Sequence, residues 1–162
     1  MTFAYRVRQA LLHRGAGLAE AERRDVESFL APALRDAFYG LSVRDQRHSY
    51  RVFLRLRADE GASMVLLQAA LLHDAGKAQA PLGVAGRSLV VIAEALRAGS
   101  LLSRLPLLGR RFDAYRRHPQ IGARLLRNAG ASPELVEIVA EHQSAHPRLH
   151  ETSMLQSADS GE

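Results

Sequence analysis

Apolar residues recur at every third or fourth position along most of this chain, a spacing that paints one face of a helix. Val, Ile and Thr are sparse beside Ala, Leu, Arg and Glu, and no segment alternates apolar and polar residues as a half-buried strand does. The expected fold class is therefore all-α, a compact multi-helix bundle. Helices are predicted over roughly 2–14, 19–38, 43–58, 63–75, 87–98, 111–128, 133–145 and 152–160.

Local signals place several of these ends. Ser42 with Asp45 three residues on forms a capping arrangement, and Ser132-Pro133-Glu134 supplies a cap and a proline at the first helical position. Gly61, Gly99 and Gly130 suit terminations. Pro32 is expected to bend or split the second helix, and Pro119 to restart the helix across 111–128, which sets His118 at an N-terminus. Between Ala78 and Gly109, Pro81, Gly83, Gly86 and Pro106 interrupt the pattern, and both a pocket-lining loop and a core-packed excursion fit there.

A length of 162 residues suits one domain with its own core. The reading is a single unit over 1–162, with a motif-bearing core from about 42 to 162 and N-terminal helices over 2–38 packed on it. No apolar run is long enough to span a bilayer, so no membrane partner is expected. Met1–Arg14 alternates Arg with apolar residues unlike a secretory signal, and a cytoplasmic location is the expectation. The net charge of +5 suits an anionic substrate, but the arginines are scattered along the chain, so a nucleic-acid partner is not expected.

With no cysteine, thiolate sites and disulfides are excluded, and a metal here must be held by nitrogen and oxygen. Six candidate ligands are spread over the predicted helices: His48, His73, Asp74, His118, His142 and Asp159. His73 and Asp74 follow the apolar run Met64–Leu72 and precede Gly76, at the end of a helix buried by its own composition. An adjacent His and Asp point about 100° apart on a helix, yet a carboxylate has two oxygens and can bridge. Lys77, the only lysine of the chain, follows three positions after Asp74, and as a helical neighbour its ammonium can reach the same site.

Taken singly, each of these residues is weak evidence; their order along the chain is much more specific. RHSYRV at 47–52, LLHDAGK at 71–77, HPQIGA at 118–123, a helix ending EHQ at 141–143 and LQSAD at 155–159 together resemble the ordered pattern of the HD superfamily of metal-dependent phosphohydrolases. The resemblance covers most of the chain and implies an HD-domain-like helical bundle. It implies that His48, His73, Asp74 and Asp159 ligate a divalent metal. In the subset with HDxGK, HP and a later histidine, which includes HD-GYP and HDIG-like phosphodiesterases, added histidines often serve a second metal, and His118 and His142 occupy those positions. The chain lacks the GYP segment and carries Gln143 where a second histidine is common. His146, four residues after His142, is a candidate substitute on the same predicted helical face.

Such a site implies one or two divalent ions, with Fe or Mn favoured by the resemblance and Mg, Co, Ni or Zn compatible with mixed His/carboxylate ligands. An ion so held lowers the pKa of a bound water and polarises a phosphoryl oxygen, so no protein nucleophile is needed. The expected activity is hydrolysis of a phosphomonoester or phosphodiester, a nucleotide being the favoured class of small phosphorylated substrate. Asp74 and Lys77 are the expected catalytic residues, Lys77 by binding or neutralising a phosphate oxygen. Asp45 and Arg47 beside His48, and Arg44, Arg51, Arg116, Arg117 and Arg124, are further candidates for supporting or phosphate contacts. A non-catalytic ligand-sensing or interaction module on the same fold is the alternative.

Overall fold

A computed structural model describes residues 17–79 and 116–161 of the chain. They form seven α-helices, α1 (Glu20–Phe29), α2 (Pro32–Tyr39), α3 (Val43–Arg57), α4 (Met64–Leu72), α5 (His118–Asn128), α6 (Pro133–Glu141) and α7 (His150–Ser160), with a 3₁₀ turn over Ala75–Gln79 after α4. No strand occurs among the described residues, and the all-α expectation holds.

Helix α4 is apolar on every side, MVLLQAALL, and such a helix is stable only when surrounded. Helices α3, α6, α7, α1 and α2 all pack on it. Leu66, Ala69, Ala70, Leu71 and Leu72 have essentially no exposed surface and meet Phe38, Phe53, Leu135, Ile138, Val139 and Leu155 in the core. Its one polar residue, Gln68, donates to the carbonyl oxygen of Phe29 at 2.9 Å and so satisfies the open end of α1.

The caps explain where the helices begin. Ser42, Ser63 and Ser132 each accept a hydrogen bond from the backbone N–H three residues ahead, at Asp45, Leu66 and Leu135. Pro32 splits the predicted 19–38 helix into α1 and α2 and stands at the start of the second, where its missing N–H costs nothing. Gly130, with φ of 81°, turns the chain out of α5. The predicted helix over 133–145 stops four residues earlier at Glu141, with His142 as its cap. The predicted helices over 2–14 and 87–98 lie outside the described residues.

A second anchor ties α1 to α3. Asp25 accepts from the Tyr50 hydroxyl at 2.7 Å and pairs with Arg57 at 3.1 Å, while the Arg57 guanidinium lies over the Phe29 and Phe53 rings. On the other side, Arg55 donates to the carbonyl of Ala158 at 2.7 Å and holds α7 against α3. No helix among the described residues is long and apolar enough to cross a membrane.

Candidate metal centre

Five helices deliver their ligand-type residues to one end of α4. His48 comes from the second turn of α3, His73 caps α4 and Asp74 follows it, His118 opens α5, His142 caps α6, and Asp159 sits in the last turn of α7. His118 stands at a helix start, as the following proline predicts. All six predicted ligands therefore converge on one locus. His146 does not, because the chain leaves the helical path after Glu141 and exposes this side chain. The substitution of His146 for a missing ligand is thereby excluded: the helical face it was assigned to ends before it begins.

The centre is built around the two oxygens of Asp74. Oδ2 faces His73 Nε2 at 3.6 Å, His48 Nε2 at 3.9 Å and Lys77 Nζ at 2.6 Å. Oδ1 faces His118 Nε2 at 3.3 Å and His142 Nε2 at 3.9 Å. Asp159 borders the first set, its Oδ1 lying 2.9 Å from His48 Nε2 and 3.8 Å from His73 Nε2. Among the described residues two groups of donors able to hold an ion result, His48–His73–Asp74 and Asp74–His118–His142, with Asp74 common to both.

Backbone carbonyls orient two of the rings. His73 Nδ1 lies 3.0 Å from the carbonyl of Ala70, and His142 Nδ1 2.8 Å from that of Val139. A carbonyl only accepts, so each Nδ1 carries the proton and each Nε2 turns a lone pair inward, the tautomer that ligates a metal. Burial is the main reason both rings stay neutral, holding His73 below its ordinary pKa and His142 down at about 3. His73 Nε2 is buried and has no hydrogen-bond partner.

The inward lone pair of His73 faces oxygens of Asp74 and Asp159 with no proton between them, an arrangement that a cation completes. The spacing agrees: two donors about 2.1 Å from a shared ion stand about 3.0–3.4 Å apart. His48–Asp159 at 2.9 Å, His118–His142 at 3.1 Å and His118–Asp74 at 3.3 Å lie at or close to that range. His73–Asp74 at 3.6 Å, His73–Asp159 at 3.8 Å, and His48–Asp74 and His142–Asp74 at 3.9 Å stand wider. The residues present thus fit a divalent ion by donor chemistry and by the tautomer of His73 and His142, with donors that close by a few tenths of an ångström around it.

No protein-family model, curated protein or solved structure matches the chain.

The electrostatics favour an ionised Asp74. Burial alone would raise its pKa, but the His118 hydrogen bond and the Lys77 ammonium 2.6 Å from Oδ2 outweigh it and hold the carboxyl well below the usual range. Asp159 behaves alike, burial being overcome chiefly by the bond from His48. The centre therefore presents two carboxylates beside the neutral imidazoles of His73 and His142 at neutral pH.

Around this set, the Ser42 hydroxyl donates to the buried Asp45 Oδ2 at 2.5 Å and accepts the Asp45 N–H, so that Ser42 caps α3 while holding this carboxylate. Arg47 contacts the Gly17 carbonyl and Glu22, tying the chain before α1 to α3. Arg44, Arg51, Arg116, Arg117 and Arg124 are exposed.

Two features escaped the motif reading. The carbonyls of Ala70 and Val139 leave no trace in residue type, since any residue supplies one. Gly122 was legible in principle, lying four residues after His118, and its partner is Gly76. A Cβ on Gly76 would collide with the carbonyl oxygen of His118 and stand 2.7 Å from the Gly122 nitrogen. A glycine at 76, facing the small Gly122, allows the 3₁₀ turn and α5 to approach so closely that His118 reaches Asp74.

Proposed function

We propose that this protein is a metal-dependent phosphohydrolase of the HD type, acting on a phosphomonoester or phosphodiester of a small molecule, with nucleotides as the favoured class. The observation that carries the reading is the division of Asp74, whose two oxygens each face a separate pair of histidines. His48, His73, Asp74, His118, His142 and Asp159 would hold one or two divalent ions, with Fe or Mn favoured and Mg, Co, Ni or Zn compatible. The ions would supply an activated water and Lewis-acid polarisation of the phosphoryl group.

The remaining chemistry belongs to the chain. Neutral His73 and His142 donate lone pairs without first losing a proton, so protons do not compete with metal near neutral pH. Asp74 stays ionised between the two sets and fixes their separation. Lys77 brings the chain's only lysine ammonium to the solvent-facing side of Asp74, where it can turn from the carboxylate to neutralise a phosphate oxygen.

The test is metal-dependent release of phosphate from nucleotides and from a generic phosphodiester, using protein purified without chelator and without oxygen. Release that disappears in His73→Ala and Asp74→Ala supports the reading. Failure of the wild type to bind any metal after reconstitution sinks it. A ligand-sensing module is the second reading, and its support is the 2.6 Å contact by which Lys77 already places a cation on Asp74. Tight nucleotide binding without turnover by metal-loaded protein would select it.

A further inference from the structure

The two donor sets differ in their access to solvent. In the set Asp74–His118–His142 the side chains are no more than 2% exposed. On the other side of Asp74, His48 is 23% and Asp159 34% exposed, while His73 at 1% lies beneath them. His118 is pressed against the 3₁₀ turn by the Gly76–Gly122 contact, and His142 is fixed by its bond to the Val139 carbonyl. The inner set therefore has no donor that meets water, whereas the outer set has two.

We infer that the centre fills and empties in order: an inner ion on Asp74, His118 and His142 enters past the outer position and is retained, and an outer ion on His48, His73, Asp74 and Asp159 exchanges with solvent. This inference rests on the metal-dependent reading above. An ion can leave the outer position through rearrangement of His48 and Asp159 alone. Departure from the inner one requires the outer position to clear and Asp74 or a buried helix end to open, and local opening of packed structure is slow. The inner ion is then a resident one, and free metal concentration acts on the protein through the outer ligands.

The decisive measurement is the rate of metal release from protein loaded with Mn²⁺, after mixing with excess chelator. Two phases of equal amplitude are expected, the second at least about tenfold slower because it waits on local opening. His48→Ala should remove the fast phase, and His118→Ala the slow one. His142→Gln provides an independent inner variant should His118→Ala lose its helical circular dichroism. Two equivalents leaving in one phase, or a slow phase that survives both inner variants, overturns the inference and leaves the metal-dependent reading standing. A single bound equivalent also overturns it, and favours a mononuclear centre. No bound Mn²⁺ in the reconstituted wild type overturns both.

Discussion

Gly76 and Gly122 meet backbone to backbone, and this contact sets the distance from His118 to Asp74. The two positions are not equally sensitive. A Cβ at Gly122 would lie 3.1 Å from the Gly76 nitrogen and 3.4 Å from Val139 Cγ1, a crowding that small shifts relieve, whereas one at Gly76 meets backbone it cannot displace. Gly76→Ala is expected to destabilise by at least the 1–3 kcal/mol or so typical of overpacking, and Gly122→Ala by clearly less. Urea unfolding of the two variants checks the order; equal costs would mean that α5 moves freely against the turn.

Asp74→Asn should be the most damaging single change to metal binding. An amide keeps the size of the carboxylate but brings no charge, and both donor sets lose their shared ligand. Since disturbing groups that merely orient a ligand costs about 10–100-fold in affinity, the loss here should exceed about 100-fold. Elemental analysis should show little metal in Asp74→Asn and partial retention in His48→Ala.

Lys77→Ala separates holding the metal from using it. Metal content should stay near the wild-type value, while turnover falls on the order of 100-fold, the scale for loss of a group that stabilises developing negative charge. Equal loss of metal would instead give Lys77 a role in maintaining the centre.

His142 predicts a pH dependence. Its pKa of about 3 lies below the ordinary 6.5, so between these values the unfolded chain binds a proton that the folded chain refuses. The resulting stability is present in full above pH 6.5 and is lost as pH falls from there toward 3. In metal-free protein, NMR should show the His142 ring still neutral at pH 5, and His142→Gln should flatten the acid side of the stability profile.

Tyr50 acts at the other end of the scale. Burial and its bond to Asp25 push its pKa up to about 12 from 10, so the folded state keeps a proton that the unfolded state releases. Its contribution is complete below pH 10 and is lost as pH rises toward 12. Ultraviolet titration should show a late-ionising tyrosine that disappears in Tyr50→Phe, with a cost of about 1 kcal/mol at neutral pH for the missing hydrogen bond.

Much of this architecture was legible because it rests on local rules. Ser42, Ser132 and Pro119 mark helix starts through hydrogen bonds and ring geometry confined to a few residues, and each mark was correct. The apolar stretch Met64–Leu72 identified the central helix because composition alone requires such a segment to be surrounded. What residue type could not reveal was tertiary. That Asp74 divides its oxygens between two sets depends on how α5 and α6 approach α4, and that approach depends on a glycine pair separated by 46 positions in sequence. The end of α6 was misjudged for the same reason. The residues after Glu141 suit a helix locally, but Arg148 folds back to bond Glu141 and Glu137, and Gln156 of α7 takes the Ser144 carbonyl.

Because the six donors come from α3, α4, α5, α6 and α7, any ion they bind is a cross-link joining most of the described fold. Its binding energy is added to the free energy of unfolding, as RT ln(1 + [L]/Kd), or about 2.7 kcal/mol when free metal exceeds Kd a hundredfold. If an ion is bound there, the melting temperature of this protein would follow the metal supply around it, and chain that had lost its ion would be the more readily cleared by proteolysis.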